Sequence, residues 1–268
     1  MKLVERVKTL KRIVRNFINY LPLLSNLVSR ELKRKYRQSA LGYIWCVLNP
    51  LGVMFVMYLV FSMMFHNSIE NFPVYLFAGR MMFSFITDGS NSMLRAFVSN
   101  SALMRKTRIP YYIFPMSTFL SAVVNFAFSL IAFAIVLLCT GTPLSVHVLA
   151  FPVVFLQAAL FTFGLGLFLA QANTFVRDTG YIYSVFVTAW MYVTPLFYPL
   201  SALPDFMQYL ISNFNPAFFY AQQARDVFLY HQWPEASMMA RGFLAGILML
   251  ALGLYSYSRS KDEIILYV

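Results

Sequence analysis

YYIFPMSTFLSAVVNFAFSLIAFAIVLLCTGTPLSVHVLAFPVVFLQAALFTFGLGLFLAQANTFV occupies residues 111–176, 66 consecutive positions without an Asp, Glu, Lys or Arg. Buried strands of soluble α/β proteins are interrupted by charged turns every few residues. A helix crossing the hydrocarbon core of a bilayer needs about 20 apolar residues. The stretch therefore holds two crossings and a turn. Thr140, Gly141, Thr142 and Pro143 break the apolar run, and His147 follows. Residues 111–139 and 148–173 read as an antiparallel membrane hairpin.

The rest of the chain agrees. It is 60% hydrophobic and 12% charged, against about 25% charged in soluble domains. The apolar runs are continuous rather than alternating, which selects helices over a β-barrel. Cys46 and Cys139 lie far apart in apolar runs, so no disulfide framework is expected. The expectation is one all-α integral membrane domain over residues 1–268. It has six transmembrane helices, at 42–65, 72–98, 111–139, 148–173, 179–200 and 236–257.

Residues 1–37 hold 11 of the 21 Lys and Arg. Leu3, Val4, Val7, Leu10, Ile13, Val14, Phe17 and Ile18 recur at spacings of three and four, with basic residues between them. This is the pattern of an amphipathic helix lying on an anionic membrane surface. A nucleic-acid-binding arm needs a soluble reader domain, which the composition does not provide. The apolar stripe is unlike the block of a signal peptide. Pro22 is expected to end or kink this helix. A second basic segment follows, with Arg30, Lys33, Arg34, Lys35 and Arg37. Pro50 is expected to bend the first crossing.

Residues 201–235 are too apolar for a free loop. Pro195, Pro199, Pro204 and Pro216 divide the region into short pieces. Short apolar helices that dip in and return are tolerated where protein buries them, so a re-entrant helix pair is expected before the last crossing. The arm, the 95–108 segment, Arg177 and the tail at 258–268 hold 18 of the 21 basic residues. By the positive-inside rule both termini are cytoplasmic.

Little chemistry is available. There is no Gly-x-x-x-x-Gly-Lys-Ser/Thr loop for nucleotide phosphates. The histidines, His66, His147 and His231, are isolated in sequence and do not make a metal site. Arg80 and Asp88 stand inside the second crossing, where charges face protein or water. Their offset of eight places them on roughly one helix face. An enzyme would have only Asp88 to offer as a base, with Arg80 as its partner. An ion-coupled carrier usually shows paired repeats with broken helices, and none is visible. The chain reads as a conduit driven by something else.

Several segments resemble a known family. Residues 30–45, RELKRKYRQSALGYIW, followed by Leu48-Asn49-Pro50-Leu51, are similar to the opening of ABC-2-type polysaccharide-export permeases. Phe175-Val176-Arg177-Asp178 matches before the fifth crossing. Thr194-Pro195-Leu196-Phe197-Tyr198-Pro199, Leu203-Pro204, Asn215-Pro216 and Gln223-Ala224-Arg225-Asp226 match after it. The resemblance implies a permease for a lipid-linked polysaccharide such as O antigen, teichoic acid or capsule, in the bacterial cytoplasmic (inner) membrane. It implies a homodimer above two separate ATPase subunits, which carry the ATP and Mg; this chain itself holds no cofactor. It also implies an interfacial N-terminal helix and two re-entrant helices, as read above.

In such permeases the first and fifth crossings line the channel. That marks Tyr43, Trp45, Tyr58, Phe61, Tyr181, Tyr183, Phe186, Trp190, Tyr192 and Phe197, whose aromatic faces suit sugars. The basic residues Arg30, Lys33, Arg34, Lys35 and Arg37 are expected to attract the phosphate of an undecaprenyl-type lipid-linked glycan. Arg105, Lys106 and Arg108 are expected to seat on the ATPase. The competing reading is an exporter of a smaller lipid or drug, which often carries large extracellular insertions that this chain lacks.

Overall fold

The computed structural model describes residues 20–34, 42–65, 69, 71–106 and 109–267, and these are helical throughout, joined by turns. The amphipathic helix expected over residues 1–18 lies outside them, as do Lys35, Arg37, His66 and Arg108. Residues 20–34 form helix α1, with Pro22 in its first described turn. Then come α2 (Trp45–Phe65), α3 (Phe72–Leu94), α4 (Ala96–Ser99), α5 (Ser101–Lys106) and α6 (Ile113–Cys139). They are followed by α7 (Phe151–Phe175), α8 (Thr179–Val193), α9 (Asp205–Phe214), α10 (Pro216–Phe228), α11 (Ala236–Ser260) and α12 (Ile264–Tyr267).

Proline and positive-φ residues set the boundaries. Pro73, Pro152 and Pro216 stand in the first turns of α3, α7 and α10, where the missing N–H has no helical partner to lose. Asn71 (φ 49°) precedes α3, and Gly141 (φ 67°) turns the chain after α6. The 3-10 turn Val146–Ala150 then leads into α7. Pro50 sits inside α2, as read.

Among the described residues, four helical stretches are long and apolar enough to cross a membrane: Gly42–Met63, Ile113–Cys139, Val146–Phe175 and Ala236–Ser260. The other two expected crossings differ, each for a physical reason. α3 has the length, 23 residues, but one of its faces is polar. α8 has 15 residues, about 22 Å at 1.5 Å per residue. It stops at Thr194, held extended (ψ 126°) ahead of Pro195, because proline disfavours helix in the residue before it. The expected fifth crossing therefore ends well short of residue 200. The second expected crossing ends at Leu94 rather than 98, with Arg95 marking the turn into α4.

α3 is the centre of the bundle and packs on α6, α7 and α10, while α7 packs along α11. Lipid tails are as apolar as leucine, so helices in a bilayer associate through close packing and polar cross-links. Both are present. Gly164 on α7 meets the backbone of Met249 and Leu250, and Gly253 on α11 lies against Gly164. Gln171 on α7 donates to the Gly253 carbonyl (3.3 Å) and accepts from Ser256 (2.7 Å) and Ser260 (2.8 Å) on α11. Aromatic rings fill the space between α3, α6 and α7: Phe85, Phe126 and Phe155 meet pairwise at 4.9 to 5.1 Å. α2 and α8 sit at the edges, with Phe55, Val56, Leu59, Val60, Ile182 and Val185 exposed.

Candidate functional site

Two polar stripes face each other across a groove between α3 and α6. On α3 the stripe is Ser84, Asp88, Asn91 and Ser92, with Asp88 three or four residues from each of the others so that all share one face, and Arg95 stands at the turn that ends the helix. Ser99 of α4 continues it. On α6 it is Thr118, Ser121, Asn125 and Ser129, spaced by three, four and four. The groove opens beside α1 in a cavity of about 570 Å³, lined also by Glu31, Leu32 and Arg34. It narrows to about 80 Å³ beside Asp88.

α1 closes one side of the mouth. Arg30 donates to the Asn100 Oδ1 at 2.5 Å, and Asn100 is itself anchored to the Ala96 carbonyl (2.8 Å). This ties the basic helix to the α4–α5 junction. Glu31 accepts from Arg34 at 2.8 Å and lies 3.7 Å from Arg30. Arg95 is exposed at the same mouth.

The groove has a direction in its hydrogen bonding. Its mouth presents guanidinium donors. Further in, the hydroxyls donate back to their own helices: Ser92 to Asp88 O (2.7 Å), Thr118 to Pro115 O (2.9 Å) and Ser121 to Ser117 O (2.9 Å). That leaves their oxygen lone pairs as acceptors. The Asn125 Oδ1 is buried with no hydrogen-bond partner among the described residues. Asp88 adds a carboxylate. Among the described residues no cluster of three His, Cys, Asp or Glu could hold a metal ion.

The opposite end of the bundle is fixed by Arg225 of α10, a fully buried guanidinium. It lies over the Tyr75 ring at 3.6 Å and donates to the carbonyls of Tyr75 (3.3 Å), Pro195 (2.9 Å) and Leu196 (3.2 Å). Gly79 leaves it room: a Cβ there would lie 2.5 Å from the Arg225 Nη2. Asn215 caps α10, accepting from the Ala217 and Phe218 amides, accepts from the Trp190 indole (2.9 Å), and donates to Thr194 (3.0 Å). The end of α8 and the turn after it are thus held from α3 and α10.

The residues singled out from sequence fall as follows. Arg30, Lys33 and Arg34 are on α1, and of these Arg30 and Arg34 reach the site just described. Arg105 and Lys106 are exposed at the end of α5. Arg80 and Asp88 diverge. Arg80 turns toward α8, donating to Met191 Sδ at 3.4 Å, while Asp88 faces α6. An offset of eight leaves about 80° between them at 100° per residue.

Of the aromatics, Tyr43, Trp45, Tyr181, Phe186 and Tyr192 are exposed. Tyr58 and Trp190 are half-buried. Phe61 stacks on Phe197 at 5.0 Å, and Phe197 and Tyr183 are buried in the subunit. Tyr183 Oη is 2.5 Å from Ser90 Oγ. Sequence reasoning missed Asn91, Ser92, Ser121 and Asn125. Their signal was present, a helical-period polar stripe inside the charge-free stretch and its counterpart on α3.

The sequence profile of the family described as ABC-2 type transporter matches residues 22–229. The O-antigen export system permease protein RfbA of Myxococcus xanthus is 32% identical over 253 residues, 94% of this chain and 97% of that protein. A protein of the same name from Klebsiella pneumoniae is 26% identical, covering 89% of this chain and 92% of its own. The polysialic acid transport protein KpsM of Escherichia coli is 20% identical, covering 90% and 93%.

Proposed function

Because this chain belongs to the ABC-2 type transporter family, we propose that it is the permease subunit of an ATP-driven polysaccharide exporter in a bacterial inner membrane. Its cargo is a lipid-linked glycan of the O-antigen, capsule or teichoic-acid kind, moved from the cytoplasmic to the outer leaflet. The observation that carries this reading is the near full-length likeness to O-antigen export permeases.

In this reading α3 and α8 complete six crossings, both termini are cytoplasmic, and α9 and α10 form a re-entrant pair. Two copies assemble over two ATPase subunits that supply ATP hydrolysis. The exposed aromatics of α2 and α8 line the passage between copies. The basic α1 and the segment after it draw the phosphate of an undecaprenyl-type lipid toward the mouth.

Depletion of the chain tests the function. Lipid-linked glycan accumulates on the cytoplasmic side and surface glycan disappears. Persistence of surface glycan, with retention of a small lipid or drug instead, would replace this reading with the smaller-cargo exporter.

A further inference from the structure

We propose that the groove between α3 and α6 is a binding site, within one subunit, for the head group of a phosphate-linked glycolipid. Arg34 and Arg95 hold the phosphate at the mouth, and Asp88, Ser92, Ser121 and Asn125 receive sugar hydroxyls above it.

Polar groups on a membrane helix are tolerated where they face protein or water. Asp88, Asn91 and Ser92 are exposed on α3, and Arg95 is exposed at the turn that ends it. Within α3 the stripe runs from Ser84 to Ser92, about 12 Å at 1.5 Å per residue, well over a third of a hydrocarbon core about 30 Å thick, and Arg95 and Ser99 carry it round the turn into α4. Such a stripe is not stable against lipid tails. Something polar covers it. The order of donors and acceptors says what kind of group. Guanidiniums at the mouth match a phosphate or diphosphate, which accepts hydrogen bonds only and favours a planar donor fork. The interior offers a carboxylate, hydroxyl lone pairs and the buried Asn125 Oδ1. Those acceptors match a group rich in O–H donors. A sugar joined to a phosphate presents these two faces in that order.

The dimensions agree. A cavity of about 570 Å³ falls within the range of small-molecule pockets, about 300–1,000 Å³. Glu31 does not block the mouth. It engages one edge of Arg34 (2.8 Å), and a guanidinium has five N–H donors. The groove belongs to a single subunit and is distinct from the aromatic passage between copies. The glycan identity of the head group rests on the export reading; the phosphate-lipid site itself rests on the geometry alone.

The test is photo-crosslinking of the full chain in phosphatidylcholine nanodiscs, with p-benzoylphenylalanine in place of Asn91. The probe is a radiolabelled polyprenyl diphosphate carrying one N-acetylglucosamine. The expected result is a lipid adduct that falls about tenfold with Arg95→Gln or Arg34→Gln, the scale of one charge-assisted hydrogen bond. Arg95→Lys retains part of it and controls for folding. Asp88→Asn and Asn125→Leu keep cross-linking to polyprenyl phosphate without sugar, and lose the preference for the sugar-bearing probe.

Three cross-linking results would overturn the proposal. One is equal labelling with phosphatidylcholine alone. Another is full competition by soluble UDP-N-acetylglucosamine, which would make the ligand a soluble diphosphate sugar. The third is cross-linking to a second copy of the chain, which would make the groove an interface. The depletion experiment separates the two readings. Normal export by Arg95→Gln in cells where depletion abolishes export refutes the site and leaves the function. A specific adduct in a chain whose depletion leaves surface glycan intact refutes the function and leaves the site.

Discussion

Arg225 and Tyr75 are 150 positions apart in sequence and form one unit: the guanidinium lies 3.6 Å from the ring centroid and its Nε donates to the Tyr75 carbonyl at 3.3 Å. Nη2 bridges to the carbonyls of Pro195 and Leu196. One side chain therefore satisfies carbonyls on α3 and in the turn where α8 ends. A buried cation without its acceptors is expensive, and so are the carbonyls it leaves behind.

Arg225→Met is accordingly expected to destabilise the subunit by about 3 kcal/mol. Arg225→Lys does not restore it, because an ammonium cannot stack flat and reach three carbonyls together. Thermal unfolding in detergent, read as loss of the monodisperse peak, measures both. Gly79→Ala lowers the same midpoint by intruding on the Arg225 Nη2. In the Arg225→Met background that cost shrinks, as expected for residues in direct contact. Additive losses would mean that Gly79 matters for another reason.

Gly164 and Gly253 predict a sharper effect. A methyl on Gly164 meets the backbone of Met249 and Leu250, and one on Gly253 meets the Gly164 carbonyl. Backbone cannot move aside as a side chain can. Gly164→Val and Gly253→Val are each expected to separate α7 from α11, cutting the yield of folded protein several-fold. Gly52→Val is the control, since nothing lies within 4 Å of that position. Equal yields for all three variants would rule out a close crossing.

Topology can be read from a native residue. Cys139 is an exposed free cysteine at the end of α6, while Cys46 is buried. With both termini cytoplasmic, a membrane-impermeant maleimide labels Cys139 in intact cells. In a Cys139→Ser chain, Ser260→Cys is labelled only after permeabilisation. The reverse pattern inverts the orientation.

The short helix α5 carries the coupling prediction. Arg105 and Lys106 are exposed at its end, and the Met104 side chain just before them is buried among Phe97, Phe114 and Ile264. Replacing Arg105, Lys106 and Arg108 with Ala is expected to lower co-purification of the ATPase about tenfold, the scale of losing one or two charge-assisted contacts. Unchanged recovery and unchanged ATPase stimulation would reduce these residues to membrane anchors.

Much of this architecture was readable from sequence, and the exceptions share a cause. The 66 uncharged positions specify α6 and α7 because hydrocarbon tolerates no charge over that length. Pro204 and Pro216 mark α9 and α10 because proline starts helices better than it continues them. Arg225 was readable as part of a family segment, but not as a buried side chain. Its burial depends on carbonyls 29 to 150 positions away, and backbone acceptors leave no trace in side-chain identity. The α3–α6 groove is similar. Asp88 stood out because it is charged, whereas Asn91, Ser92, Ser121 and Asn125 became a site only when two helices brought their stripes together. The end of α8 was overrun because Leu196 and Phe197 are apolar. They are buried against protein and do not extend the helix.

The shortness of α8 bears on the bilayer as a material. In the six-crossing reading proposed above, a helix of about 22 Å against a core of about 30 Å leaves roughly 8 Å of hydrophobic mismatch on the flank of α8. Arg225 and Asn215 pin the turn at its end, so the helix cannot lengthen to relieve it. The lipid has to adjust, by compressing its chains beside α8 or by admitting the Pro-rich turn. In that reading both make the membrane locally thinner there, and a polar head group passing along that flank has less hydrocarbon to cross than beside the longer helices.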